Sequence, residues 1–331
     1  MKGLDCGTSN FVSAAENSKN EIVYIRERSA YYVLTPKTKI HSKFLKEGLQ
    51  KSGTKFFEVQ DGNIIVIGQG AIDEALTRED TVGRPMSRGV VVAKDKDSIP
   101  ILSQIMKYVL GEPRPKGELV VYSIPASSVD VKFDNVYHTN AMSDELKKLG
   151  YTPHPLNESE ALCYSNLIND NLTGVCFSFG AGCVNVCLMH NGDPLVMFST
   201  AKSGDAIDEM VAADFDISPT MVQQEKESGI NLTSPQSNVQ KGIVGRYRVI
   251  IKYALENLKY DFENSGHKVS VRTPIPLVLS GGTAMVDGFR EIFEEVRAEV
   301  GLPFQVSVVR MAKDPLHDVA KGCLLAAKML Y

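Results

Sequence analysis

The sequence lacks several features that mark whole classes of protein. It has no run of about 18 apolar residues, so we expect no membrane-spanning helix. Its formal net charge of -4 provides no basic surface of the kind that binds nucleic acid. The chain starts directly on an apolar strand, without the basic region and cleavage site of a signal peptide. Because the chain lacks such a basic surface, we expect no nucleic acid as a direct partner.

Cysteine is sparse, and none of the 6 cysteines forms a CxxC pair. Cys176, Cys183 and Cys187 cluster along the chain, but a metal site favours closer pairs or help from histidine. Small buried thiols in strands are the better interpretation. Unpaired cysteines of this kind are typical of a reducing compartment. We expect a cytoplasmic protein, with the inner face of a membrane as a second location.

The common phosphate-binding motifs are also absent. No GxxxxGK[ST] sequence occurs, which excludes a P-loop. The stretch at 180–182 begins like a dinucleotide fingerprint, but its third glycine is missing and a β-rich run follows. The stretch "GQGAID" at 68–73 lacks the same glycine. A Rossmann-type site is therefore not predicted.

One supersecondary unit occurs twice in the chain. Near the N-terminus, predicted strands Gly3–Cys6, Phe11–Ala15 and Glu21–Ile25 enclose a glycine turn. From residue 174, "VCFSF", a glycine turn, "VNVCLM" and "PLVMF" repeat that order, and "HNGD" predicts a hairpin between the last two strands. The repeat indicates an internal duplication.

Predicted helices follow each unit. Apolar spacing predicts them at Ile101–Leu110, Asp144–Leu149, Gly242–Tyr260, Phe289–Val300 and about Leu316–Leu330. Strands mixed with helices predict the α/β class with mixed sheets. The stretches 30–70 and 211–267 lack glycine turns and are interpreted as inserted subdomains.

Only the first glycine turn, "LDCGTSN" at 4–10, carries charge and hydroxyl chemistry. Gly7 lets the backbone bend and an anion approach, while Thr8, Ser9 and Asn10 add side-chain donors. Asp5 ends the incoming strand, where a carboxylate suits Mg²⁺ held through water. A simple capping loop is the alternative.

Two further glycine elements offer mainly backbone. Gly180, Ala181 and Gly182 form the second turn, which can present backbone donors. Gly281, Gly282 and Thr283 end the strand "PLVLS", where glycine lets the backbone pack against a flat ring. The alternative for this third element is a plain strand-to-helix turn.

These three elements, on a duplicated unit, resemble the ATPase superfamily of actin, heat-shock chaperones and sugar kinases, and within it the bacterial actins MreB and MamK. The resemblance covers essentially the whole chain and includes "GRPMSRGVV" at 83–91, "GDAID" at 204–208 and "KDPLHDVAKGCLLAA" at 313–327. It implies an actin-like fold of two lobes that clamp ATP or ADP with Mg²⁺.

The resemblance also implies domain boundaries. Lobe I would comprise 1–29, 71–160 and 310–331, with 30–70 as its inserted subdomain. Lobe II would comprise 161–210 and 268–309, with 211–267 inserted.

Site residues follow from the same resemblance. The first two turns would hold the phosphates, and Gly281, Gly282 and Thr283 would contact the adenosine. Glu158, in "LNESEA", falls where the acid that orients the attacking water stands, although Ser159 replaces the usual proline. With Asp5 it forms the implied catalytic pair, and capping of a helix start is the alternative for Glu158.

The remaining nucleotide contacts implied are Gly204 and Asp205, at the start of "GDAID", and Gln223 and Lys226, beside the base and ribose. A solvated helix face is an equally good interpretation of the last two.

One departure concerns catalysis. Ser178 stands where the second turn normally begins with an aspartate. Losing one polar stabiliser of a transition state costs about 10² to 10³ in rate, whereas backbone donors still bind phosphate. The expected protein is a nucleotide-binding, slowly hydrolysing ATPase.

The length and MreB-like segments predict self-assembly into cytoskeletal filaments. A monomeric chaperone-like ATPase and a nucleotide-binding scaffold without significant catalysis are the alternatives, and a sugar kinase fits least. A membrane surface or a membrane protein is the second partner that we expect. MreB of Gram-negative bacteria often carries an amphipathic N-terminal helix, whereas this chain starts directly on its first strand, which leaves an internal apolar loop as the expected lipid contact.

Overall fold

The strands of the described residues form two five-stranded sheets and two smaller ones. The computed structural model describes residues 1–78, 80–92, 97–132, 135–264 and 273–330. Ten strands precede the second glycine turn's unit: β1 (Lys2–Cys6), β2 (Asn10–Glu16), β3 (Ile22–Arg28), β4 (Tyr31–Leu34), β5 (Phe56–Glu58), β6 (Ile64–Ile67), β7 (Met86–Ser87), β8 (Val90–Val91), β9 (Leu119–Ile124) and β10 (Thr152–Asn157). Five follow: β11 (Gly174–Phe179), β12 (Val184–His190), β13 (Asp193–Thr200), β14 (Ile275–Ser280) and β15 (Val306–Met311).

Helices connect and cover these strands. In the first half they are α1 (Lys39–Lys51), α2 (Gln69–Thr77), α3 (Ser98–Leu110), α4 (Asn135–Lys148) and α5 (Glu158–Asn166). In the second half they are α6 (Gly204–Phe215), α7 (Pro219–Glu227), α8 (Asn238–Asn264), α9 (Phe289–Val300) and α10 (Asp318–Met329).

The two large sheets have the same topology. Their strand orders are β10-β9-β1-β2-β3 and β15-β14-β11-β12-β13. In each, the first strand of the unit pairs antiparallel with the second and parallel with the fourth, as β1 does with β2 and β9 and β11 does with β12 and β14. The α/β class and the duplication predicted from the repeated unit are both confirmed.

Local sequence explains the elements of the second unit. Every residue of β11 is buried, because helices cover both faces of its sheet, and its sequence is accordingly almost continuously apolar. The predicted hairpin turn is also confirmed: His190 pairs with Asp193, and Asn191 and Gly192 have φ of 50° and 88°. Positive φ at both central residues is what the two-residue type I′ turn requires.

The helix predictions differ from the structure mainly at their starts. The helix predicted over residues 289–300 has exactly the bounds of α9, and the one predicted over 242–260 lies inside the longer α8. In contrast, the helix predicted at 144–149 corresponds to α4, which starts nine residues before the predicted start, at Asn135. Its first turns bury His138 and Met142, and a histidine does not register in an apolar pattern.

Two helices cross from one lobe to the other beneath the cleft between them. α5 follows β10 of the first sheet but packs on β11 and β12, and α10 follows β15 but packs on β1 and β9. The two helices touch where Gly322 lies against the carbonyl of Ala161, with no room for a Cβ. This close crossing couples the two lobes.

The segments between the sheets' strands form smaller units. The sheet β4-β6-β5 packs one face on α1, through Leu34, Leu49, Ile64 and Val66. Its other face contributes Ile65 to the core that α3 shares. The domain boundaries given above stay a prediction, and the one between 267 and 268 lies outside the described residues, as does residue 331.

Candidate functional site

A cleft of about 490 Å³ lies between the two large sheets, a size typical of small-molecule sites. All of the site residues predicted from the sequence line it: Asp5, Gly7, Thr8, Ser9, Asn10, Glu158, Gly180, Ala181, Gly182, Gly204, Asp205, Gln223, Lys226, Gly281, Gly282 and Thr283. Folding therefore brings predicted site residues from Asp5 to Thr283, which span most of the sequence, into one cavity.

The two glycine turns close in the same way. In the first, the amide of Gly7 donates to the carbonyl of Asn10 at 3.0 Å. In the second, the amide of Gly180 donates to the carbonyl of Cys183, also at 3.0 Å. A Cβ on either glycine would come within 3 Å of that carbonyl oxygen, so the tight closure requires glycine.

The tips of the turns meet across the cleft. The hydroxyl of Thr8 accepts a hydrogen bond from the amide of Gly89 at 3.0 Å. Gly182 lies directly against this pair, and a Cβ there would stand 2.9 Å from the Gly89 nitrogen and 2.9 Å from the Thr8 Cβ. Only glycine allows the second turn to approach the first this closely.

The tips of the two turns carry backbone amides that have no hydrogen-bond acceptor among the described residues. Neither the amides of Thr8 and Ser9 nor those of Ala181 and Gly182 make a hydrogen bond to any of the described residues. Backbone amides seldom stay unpaired, and a concave group of them is a typical anion site. The contacting turns thus offer donors from two lobes to one anion.

The second turn is braced from behind. The hydroxyl of Thr283 donates to the carbonyl of Gly180 at 2.9 Å, and the amide of Gly204 donates to the same oxygen at 3.1 Å. The amide of Asp205 donates to the carbonyl of Ala181 at 2.8 Å. The third glycine element and the start of α6 therefore fix the shape of the turn.

Asp5 and Glu158 share the floor of the cleft, and no basic side chain among the described residues forms an ion pair with either of them. Burial, and then the charge of Glu158, raise the pKa of Asp5 from 3.8 to about 8, against a small lowering by the Ser123 hydroxyl, 3.0 Å away. Burial also raises the pKa of Glu158. Both groups resist ionising beside each other, so a bound cation would be strongly favoured here.

The Glu158 carboxylate is held on both oxygens. Ser178 donates to Oε1 at 2.6 Å, and the Nδ2 of Asn185 donates to Oε2 at 2.9 Å. Asn185 is fully buried, and its own Oδ1 accepts from the amide of Ala126 at 3.1 Å. Ser178, the residue that departs from the bacterial-actin pattern, thus orients the acid predicted to be catalytic.

The ammonium group of Lys226 is paired within the protein. Its ammonium pairs with Asp208 at 2.7 Å, both side chains being about nine-tenths buried, and it donates to the carbonyl of Gly204 at 3.0 Å. Burial raises the pKa of Asp208 to about 6, and Lys226 opposes that rise. Its aliphatic stem, rather than its charge, is therefore available to line the cleft.

Arginines bridge the mouth of the cleft. Arg84 lies 3.2 Å from Asp205 and donates to the Oε1 of Gln223 at 3.3 Å. Arg28 donates to the Ser9 hydroxyl at 3.4 Å and lies 4.0 Å from a carboxylate oxygen of α7. Each therefore links an element of the first half to one of the second.

Sequence reasoning missed five residues that shape the site: Arg28, Arg84, Ser123, Asn185 and Asp208. Arg84 lies within the quoted stretch at 83–91, and Asp208 ends "GDAID", so both carried a signal. Ser123 and Asn185 lie in buried strands among apolar residues and carried none.

Within the described ranges, no three His, Cys, Asp or Glu side chains are grouped closely enough to hold a metal ion by themselves. None of the described helices has the length and apolar content to cross a bilayer.

Structural comparison finds the actin-like fold along the whole chain. MreB5 of Spiroplasma citri bound to ADP has a TM-score of 0.67 at 17% identity, covering 99% of this chain and 96% of that one. The MamK filament gives 0.67 at 17%, with 99% and 98% covered. The ethanolamine utilization protein EutJ of Carboxydothermus hydrogenoformans gives 0.55 at 13%, with 97% and 88% covered. The resemblance to bacterial actins and the predicted fold are confirmed.

Sequence comparison is more selective. No curated protein matches the chain. One family profile, described as Volactin, matches residues 1–327.

Proposed function

Since the chain belongs to the Volactin family and has the actin-like fold, we propose that it binds ATP and ADP in the cleft and assembles into filaments. The observation that carries this proposal is the contact between the two glycine turns. Their tips bring four unpaired amides to one place from both lobes. A polyphosphate is the natural ligand of such an arrangement.

In this proposal the amides of Thr8, Ser9, Ala181 and Gly182 bind the phosphates. Fold relatives were solved bound to ADP and to AMPPNP, which supports a nucleotide in the same cleft. Because Gly182 touches Thr8 only when the lobes are close together, phosphate binding would favour the closed arrangement.

The adenosine would lie further along the cleft. Gly281, Gly282 and Thr283 would border the base, with the apolar surfaces of Met285 and Leu316 nearby in the same lining. Gln223 and the stem of Lys226 would contact the ribose side, and Gly204 and Asp205 would support the phosphate end.

The floor of the cleft suits Mg²⁺. Asp5 would hold the ion mainly through water. Its buried carboxyl group needs a neighbouring positive charge in order to ionise, and the ion would provide the charge that the described residues do not. The ion would supply neutralisation of the phosphate charge.

Glu158 is the proposed catalytic residue, accepting a hydrogen bond from the water that attacks the terminal phosphate. Ser178 and Asn185 fix both of its oxygens, and each carboxylate oxygen retains a further lone pair for that water. With Ser178 in place of an acid, the cleft has one charge fewer for metal or water, so turnover would be slow, by about 10² to 10³ relative to a site with both acids.

Self-assembly is the proposed use of nucleotide binding. Two MamK structures that share the fold are filaments. Closure of the lobes would present a single rigid subunit shape for repeated head-to-tail contacts, which generate open filaments. We propose that these filaments form a cytoskeleton in the cytoplasm and contribute to cell shape at the inner face of the membrane.

Sedimentation of the purified chain, followed by electron microscopy of the pellet, tests this proposal. Filaments are expected with ATP and Mg²⁺ and not without nucleotide. Persistent monomers at high protein concentration in both conditions would refute assembly.

A nucleotide-binding scaffold without significant catalysis is the second candidate, and Ser178 favours it. Phosphate release separates the two. Slow release that stops in the Glu158→Gln variant supports an ATPase, whereas filaments that form with ATP and release no phosphate support the scaffold.

A further inference from the structure

The outer face of α1 is apolar. Ile40 is 70% exposed and Phe44 is 66% exposed, and their spacing of four places them on the same side of the helix. Leu45 and Leu49 pack on the opposite side, against the β4-β6-β5 sheet. A surface helix normally turns polar residues outward, so this helix presents apolar side chains on both faces.

Lysines surround the exposed pair. Lys37, Lys39, Lys43 and Lys51 are all exposed, and none has an ion-pair partner among the residues that the structure describes. Lys46, in contrast, pairs with Glu58 at 2.9 Å. Within the described part of the chain, these four unpaired ammonium groups give the surroundings of Ile40 and Phe44 a net positive charge, against the one negative charge of Glu47, which follows Phe44 by three positions.

The charge of this segment differs from that of the chain. Residues 30–70 contain six lysines and three acids, Glu47, Glu58 and Asp61, whereas the whole chain has 36 basic and 40 acidic residues. The excess positive charge is therefore local to the subdomain that carries α1.

We propose that this surface, Ile40 and Phe44 with the four free lysines, docks the protein on an anionic lipid membrane. An interfacial helix buries aromatic and aliphatic side chains at the boundary of the acyl chains, while lysines contact the anionic headgroups. A protein partner would need an acidic rim around an apolar recess, whereas a lipid surface presents both properties everywhere. The charge complementarity thus favours lipid.

A single copy carries only two inserting side chains, so its binding is weak. In a filament, which rests on the function proposed above, many copies would bind one surface and their contributions would multiply. Docking is therefore expected to be stronger with ATP and Mg²⁺ than without, although each copy retains the same surface.

Flotation with vesicles tests the proposal. The full chain, with and without ATP and Mg²⁺, is mixed with vesicles of phosphatidylcholine alone or with added phosphatidylglycerol. We expect the chain to float only with the anionic vesicles, and less at high salt, because salt screens the lysines. Flotation with both vesicle types alike, or with neither, would overturn the proposal.

Two variants locate the surface. Ile40→Ser with Phe44→Ser removes the exposed apolar pair, and Lys39→Glu with Lys43→Glu reverses part of the positive charge, so each is expected to lower vesicle binding by roughly tenfold or more. Val136→Ser, at a side chain that is also 70% exposed, and Lys107→Glu with Lys116→Glu, at two other exposed lysines, are the matched controls. Equal loss in the controls would overturn the assignment to α1.

Sedimentation without lipid keeps this proposal separate from filament formation. If the α1 variants still form filaments but no longer float, the surface is a lipid contact. If they lose filaments in the absence of lipid, α1 is a contact between copies of the chain and the lipid proposal is wrong. If the wild type forms no filaments but still floats, the proposed function fails and the lipid contact stands.

Discussion

Replacing Gly182 with alanine should separate the two glycine turns and weaken nucleotide binding. A Cβ at this position would lie 2.9 Å from the amide nitrogen of Gly89 and 2.9 Å from the Cβ of Thr8, and closer still to the Thr8 hydroxyl. These atoms belong to backbone and to a buried side chain, which cannot swing away as the end of a long side chain can.

The magnitude follows from those contacts. Ordinary carbon contacts lie at about 3.5 to 4 Å, so the turns must separate by roughly an ångström. That shift breaks the bond of the Gly89 amide to Thr8, and an unsatisfied buried donor costs about 1 to 3 kcal/mol. Because the cost falls on the closed arrangement that grips phosphate, affinity for ATP should fall by roughly 5- to 150-fold.

The assay is a titration of the purified chain with a fluorescent ATP analogue in the presence of Mg²⁺. Gly245→Ala is the matched control, because it lies within α8 and a Cβ there meets no atom within 4 Å. It should bind ATP like the wild type and unfold at the same or a slightly higher temperature, since alanine favours a helix. A Gly182→Ala protein that folds normally and binds ATP as tightly as the wild type would refute the gripping role of the turns.

Three other predictions concern the floor of the cleft. The pKa of Asp5 is raised from 3.8 to about 8 in the folded chain, so the unfolded chain ionises first and stability without nucleotide should fall as pH rises from about 4 to 8. Thermal unfolding should show a shallower fall in Asp5→Asn, and an equal slope would contradict the shift. Glu158→Gln should keep ADP affinity yet lower phosphate release by about 10² to 10³, and unchanged release would remove its catalytic role. Asn185→Ala should slow release less than Glu158→Gln and cost about 1 to 3 kcal/mol in denaturant unfolding, because the Ala126 amide loses its acceptor; a variant with unaltered release would show that Asn185 does not position Glu158.

The fold was predictable because its signals are local. Each three-stranded unit is continuous in sequence, and the glycine turn that ends its first strand repeats at 7 and 180. The residues of the turns were predictable for the same reason. The approach of the two turns to each other was also expected. Its physical basis, the packing of Gly182 against Thr8, is visible only in the structure.

The supporting residues were not predictable, because their partners are distant in sequence. Asn185 looks like one polar residue in an apolar strand until Glu158, 27 positions earlier, and Ala126 are brought to its side chain. Ser123 meets Asp5 across 118 positions. Likewise, the sequence around Lys226 does not show that its ammonium group pairs with Asp208 rather than with a ligand.

A structure of the chain with AMPPNP and Mg²⁺ tests the central claim most directly. We expect the phosphates between the tips of the two turns, within hydrogen-bond distance of the amides of Thr8, Ser9, Ala181 and Gly182, with the metal beside Asp5. A nucleotide bound elsewhere, or phosphates that contact the amides of one turn alone, would contradict it.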